Sequence, residues 1–162
     1  MTASEARRGS RRGPGVQTES IGPRLRRDRS RARAWFLQVH YRWESEGGDF
    51  TLARALSETL GKRLVAPRRI PYLERLVDTF ARGESVVDGA LTRALDNWTL
   101  ERLSVMDRGI LRLGATEMLF LDDIPPKVAI QEAVRMGERY GGAESPRFVN
   151  GVLDAVLRQA DD

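Results

Sequence analysis

TLERLSVMDRGILRLGATEMLF, residues 99–120, decides the fold. Leu103, Met106, Ile110 and Leu113 recur at three- and four-residue intervals, so one side of a helix is continuously apolar. Other apolar residues cover much of the remaining circumference, which marks a helix buried on most sides and therefore central. A central helix needs others around it, and the chain supplies them in both directions. Upstream, Leu73, Leu76, Val77 and Phe80 form one stripe, and Val87, Ala90, Leu91, Ala94 and Leu95 form a second; Gly83 reads as the break between two short helices. TLARALSETLGKRL makes an earlier helix, set off by the GGD break at Gly47–Asp49 and by Pro67. Downstream, the prolines of DDIPPK close the central helix, and Ile130, Ala133 and Val134 give the next segment its inner face. Val149, Val152, Leu153, Val156 and Leu157 stripe the last helix. No stretch alternates in the manner of a strand, so the chain is expected to be all-α, with about seven helices. Met106, Met118 and Met136 read as core filler.

The composition limits the chemistry. At 162 residues there is room for one domain with a genuine core or for two small helical halves packed together. No apolar run approaches the roughly 18 residues needed to span a bilayer, so a soluble, cytoplasmic protein without a membrane is expected. There is no cysteine and one histidine, His40, which removes disulfides, thiolate nucleophiles and nearly every transition-metal site. His40 lies in the apolar-rich AWFLQVHYRWE and reads as a packed or partly exposed structural residue. Gly-rich phosphate loops are absent, and the carboxylates are scattered along helices as solvated charge. A binding protein is expected, with no enzyme activity, cofactor or metal.

The net charge of +4 is unevenly distributed. Residues 1–33 hold ten arginines against Glu5, Glu19 and Asp28, which makes them +7 and leaves the remainder at −3. Residues 1–25, which mix Arg, Gly, Ser and Pro, are expected to be a disordered basic arm ahead of a helical domain at 26–160. The composition suits a polyanion binder; an Arg- and Ser-rich start also fits a transit peptide. From Ala32 onward Trp35, Phe36, Val39, Tyr41 and Trp43 give a helix with a hydrophobic side, and Arg26, Arg27, Arg29, Arg31 and Arg33 sit at and before its first turn. Positive charge there opposes the helix dipole, a repulsion that a bound anion relieves. A solvated basic lead-in explains the same residues.

A second unusual place is YGGAESPRFVNGVLDAVLRQ, residues 140–159. Ser145 and Pro146 suit a helix start, and Gly141 is expected as a left-handed cap of the preceding helix. Two readings stay open for Arg147 and Phe148: a solvated cation beside a core aromatic, or an anion-binding and base-stacking pair at a helix N-terminus. Gly151, inside the helix, is assigned to close packing.

Four segments in this order, RARAWFLQVHYRWE at 31–44, LSVMDRGILRLGATEML at 103–119, DDIPPKVAIQEAV at 122–134 and ESPRFVNGVLDAVLR at 144–158, resemble the NusB family of transcription antitermination factors over about residues 26–158. The resemblance implies two packed helical subdomains in a monomer or weak homodimer. It implies binding to boxA RNA of ribosomal RNA transcripts together with the ribosomal protein NusE, so that RNA polymerase reads through terminators. Arg29, Arg31, Arg33, Gln38, Glu144, Arg147 and Phe148 then correspond to the family's RNA surface, and Tyr41 and Asp107 to its protein interface. Asn150 fits either an inter-helix hydrogen bond or the RNA face. The arm carrying Arg7, Arg8, Arg11 and Arg12 is longer than the family's lead-in, and His40 replaces an expected aliphatic residue. The alternatives are a protein-interaction scaffold and a NusB-like accessory RNA-binding module in ribosomal RNA maturation. As part of a ribosomal RNA methyltransferase, such a module is disfavoured by the lack of room for a cofactor-binding domain.

Overall fold

The computed structural model describes residues 21–162, so the expectations for Arg7, Arg8, Arg11 and Arg12 lie outside the described residues. Six α-helices follow: α1 (Pro23–Glu46), α2 (Leu52–Lys62), α3 (Ile70–Ala94), α4 (Val105–Phe120), α5 (Pro126–Tyr140) and α6 (Ser145–Asp161). Short 3-10 turns at Pro67–Arg69 and Leu100–Arg102 precede α3 and α4. No strand occurs among the described residues.

α4 is the central helix, packed against α1, α3, α5 and α6 and buried from Gly109 to Leu119. It begins later than its periodicity predicts, because Leu103 is extended (φ −71°, ψ 154°) and the Ser104 hydroxyl accepts from the Asp107 N–H at 3.1 Å, fixing the N-cap. α1 begins earlier than predicted, at Pro23, whose fixed φ suits a first helical position. It ends at Gly47 and Gly48, the two residues of positive φ among those described.

Gly83 does not break α3. The stripes before and after it continue one register, since Phe80 and Val87 are two turns apart, and Gly83 is buried where a β-carbon would come within 2.6 Å of the Phe120 ring. The interior glycine lets α3 and α4 close on each other, which offsets its cost in helix propensity of about 1 kcal/mol. One apolar cluster, including Phe36, Phe80, Leu111, Ile124 and Leu153, runs through both halves of the chain.

Charged groups sit inside this core. Arg33 of α1, only 2% exposed, donates from Nε to both oxygens of Glu117 on α4, at 3.0 and 2.9 Å. The Tyr72 hydroxyl donates to the same carboxylate, and the Arg33 guanidinium lies 3.5 Å from Glu132 on α5. Burial pushes the Glu117 carboxyl above the ordinary carboxylate range, against the pull of Arg33. A second cluster joins α1, α3 and α4. Arg112 donates to both Asp88 oxygens at 2.9 Å and to Glu44 at 2.7 Å, with His40 Nε2 at 3.2 Å from its Nη1. These pairs set the register of α1 on α4.

Candidate nucleic-acid interface

The arginines at the start of α1 divide by helix geometry. Arg24, Arg27, Arg31, Gln38 and Tyr41 are exposed and recur every three, four or seven residues along one outward stripe. Arg26, Arg29 and Arg33 point the other way, into a groove lined also by Asp123, Val128 and Arg135. Arg29 donates to Asp123 at 3.2 Å and lies over the Tyr72 ring, with its guanidinium carbon 5.4 Å from the ring centroid. Placing Arg33 on an RNA surface is therefore corrected: its guanidinium is committed to Glu117 inside the core and offers nothing to a phosphate. Arg31, two residues earlier, is some 200° away around the helix and faces solvent.

The turn before α6 is built from the hydroxyl of Ser145. It accepts from the Gly142 N–H at 2.9 Å and donates to Asp107 at 2.7 Å, while Asp107 is itself held by the Ser104 cap. Glu144, not Ser145, occupies the N-cap position. Gly141 is extended (φ −92°, ψ −174°), so the expected left-handed cap does not form. Glycine is needed there for space: a β-carbon would meet the Ser145 side chain at 2.5 Å.

Glu144 and Arg147 point outward, and Phe148 is half-buried, with one side on the core. These three and Asp107 line an open hollow of about 720 Å³ together with Trp98 and Arg102. Gln38 and Tyr41 line a separate cleft between α1 and α2 with Arg42, Glu58, Lys62 and Arg63. The two expected groups thus interleave. Asp107, expected on a protein interface, shares the hollow of the turn, while Gln38, expected on the RNA side, sits beside Tyr41. Tyr41 is 54% exposed, which removes it from the core.

Gly151 is not a packing glycine, since a β-carbon there would meet nothing within 4 Å. Gly151→Ala is accordingly expected to stabilise the free protein by about 1 kcal/mol, read as a raised denaturant midpoint; a loss of stability would show that the site is closed. Asn150 is exposed. Two residues of the hollow, Trp98 and Arg102, were not anticipated. The available signal was a tryptophan following Asp96 and Asn97, beyond the last residue of the α3 stripe.

A family model described as the NusB family matches residues 30–158. The chain is 35% identical over 130 residues to transcription antitermination protein NusB of Desulfitobacterium hafniense, covering 80% of this chain and 88% of that protein. It is 42% identical over 85 residues to the protein of that name from Bacillus thuringiensis, covering 52% and 65%. Among solved structures, T. maritima NusB superimposes with a TM-score of 0.72 at 34% identity, over 81% of this chain and 91% of that one. A chain from a crystal structure of antitermination factors NusB and NusE in complex with dsRNA also gives 0.72, at 29% identity, over 82% and 98%.

Proposed function

Because the chain belongs to the NusB family, we propose that it is a transcription antitermination factor, acting in the cytoplasm and without enzymatic activity, that holds boxA-type RNA of ribosomal RNA transcripts together with ribosomal protein NusE. The observation that carries this reading is the pairing of an outward arginine stripe on α1 with an exposed Arg147 beside the half-buried Phe148. Arg24 lies in the first turn of α1 and opposes its dipole by roughly 0.3–1 kcal/mol, a contribution whose sign an RNA phosphate reverses, while Arg27 and Arg31, further along the helix, hold exposed guanidinium groups toward the same strand. Phe148 is held on one side by the core, so its ring is positioned before RNA arrives, and stacking of an unpaired base on it is worth roughly 1–3 kcal/mol.

Arg31, Gln38, Glu144, Arg147 and Phe148 are the proposed RNA contacts, with Arg29 at the rim of its groove. Tyr41 is the proposed contact for NusE. Asp107 is a candidate for both surfaces, because it faces the hollow while its bond to Ser145 holds the turn.

The test is fluorescence anisotropy with single-stranded boxA RNA, a scrambled RNA and a duplex, with and without NusE, over a range of salt. Tighter boxA binding enhanced by NusE is expected. Phe148→Leu keeps the packing and removes the π face, so it is expected to weaken boxA binding roughly tenfold to hundredfold with the melting temperature nearly unchanged. Equal binding to all RNAs that salt abolishes would reduce the chain to a nonspecific polycation.

A further inference from the structure

Trp98 has no part in the contacts proposed above, yet 56% of it is exposed. The exposure is enforced by its surroundings. Leu95 and Leu100 on either side are buried. Arg108 Nη1 donates to the carbonyls of Leu100 at 3.2 Å and Leu103 at 2.8 Å, and Gln159 Nε2 donates to that of Arg93 at 3.2 Å. The segment is anchored at both ends, and the indole between them is turned outward.

Trp98, Arg147 and Phe148 border two hollows at once. One is the hollow of the turn; the other continues along α6 over Gly151, Val152 and Arg158. The lining of the second hollow holds Arg147 and Arg158 against the carboxylate of Asp96, and Arg158 also lies 3.8 Å from Asp154 in an exposed pair along α6, which a phosphate can replace at little cost. Gly151 lies on its floor with open space above the backbone. A glycine inside a helix with nothing packed on it is unfavourable for folding, and here it leaves the hollow unfilled beside two aromatic rings. Flat apolar faces, a bare helix surface and guanidinium groups together suit a nucleobase carried on a phosphate backbone. Continuity with Phe148 makes that nucleotide part of the same strand.

We propose that Trp98 and Gly151 extend the RNA site beyond Phe148: a second unpaired base of single-stranded RNA stacks on the indole and lies over the bare backbone at Gly151, with Arg147 and Arg158 facing its phosphate. This rests on the reading of the turn as an RNA surface. The test uses the full chain and a labelled single-stranded boxA oligonucleotide. Trp98→Ala is expected to weaken binding about tenfold, and Trp98→Phe much less. Gly151→Leu, for which the free protein has room, is expected to weaken binding without lowering the melting temperature. RNA is expected to quench the indole emission of the unsubstituted chain, and that quenching is expected to vanish in Trp98→Phe.

If Phe148→Leu weakens RNA binding while Trp98→Ala and Gly151→Leu do not, the extension is wrong and the RNA reading of the turn stands. Loss of NusE binding in Trp98→Ala with RNA affinity intact overturns the extension and assigns the ridge to a protein. If the unsubstituted chain binds no RNA, with or without NusE, both readings fail together.

Discussion

Replacing Arg33 with methionine is expected to destabilise the fold by about 3–5 kcal/mol, whereas Arg31→Met leaves stability within about 0.5 kcal/mol. The two arginines look equivalent in the sequence, and the difference lies in what each leaves behind. Removal of Arg33 strands Glu117 in the core, with the Tyr72 hydroxyl as a donor but no cation against it and with Glu132 close by. The carboxyl must then take up a proton or remain charged without compensation, and either cost falls on the folded state alone. Arg31 stands in water and strands nothing. Function is expected to sort the opposite way. Arg31→Met weakens RNA binding and reduces the slope of its salt dependence by about one ion, while Arg33→Met affects RNA only through loss of the fold. Chemical denaturation of both variants, and of Arg33→Met combined with Glu117→Leu, decides the matter. The double variant is expected to recover most of the loss, because an apolar pair of similar volume replaces a buried ion pair. Equal stability of the two single variants would mean that Arg33 does not hold α1 to α4.

The same pair shows where sequence reading succeeds and where it stops. The apolar spacing of Leu103, Met106, Ile110 and Leu113 identifies α4 as the centre, because burial repeats with the helix period and leaves its trace in residue type. Arginine leaves no such trace. A run such as Arg29, Arg31 and Arg33 reads as one basic patch, yet steps of two residues turn about 200° around a helix, and only a partner on another element tells which of them is buried. Glu117 is 84 residues away from Arg33, and nothing local connects them. Glycine is ambiguous for a related reason. Gly83 and Gly151 both interrupt helical stripes, but one receives the Phe120 ring and the other faces open space, a distinction made wholly by distant residues. The turn at Ser145 was legible as a helix start. Its tie to Asp107 was not, because the hydroxyl's second partner lies on another helix, 38 residues away.

Acid is expected to weaken the fold through His40, by roughly 3 kcal/mol between pH 6.5 and 4. The ring is 1% exposed, packed among Phe36, Trp43 and Phe80 and against Gly109, where a β-carbon would come within 2.8 Å of Nδ1. Burial lowers its pKa to about 4; Glu44 pulls it upward, and Arg112 and Arg108 push it down further. The sign follows from which state takes up the proton first. As pH falls below 6.5 the unfolded chain protonates its histidine while the folded ring stays neutral, so the unfolded state gains free energy that the native state cannot match until pH nears 4. His40 therefore contributes stability that is fully present above pH 6.5, drains away toward 4 and changes no further below it. His40→Leu places an aliphatic residue of comparable volume in the pocket, and Arg112 retains Glu44 and Asp88. Urea unfolding of both proteins from neutral pH down to about 4 is expected to give curves that diverge as pH falls, the variant losing less. Carboxylates remote from His40 titrate alike in both proteins and cancel in the difference, whereas Glu44, 3.9 Å from the ring, is part of the effect being measured. Parallel curves would show that the ring takes up its proton in place, between Glu44 and the solvent, without strain on the core.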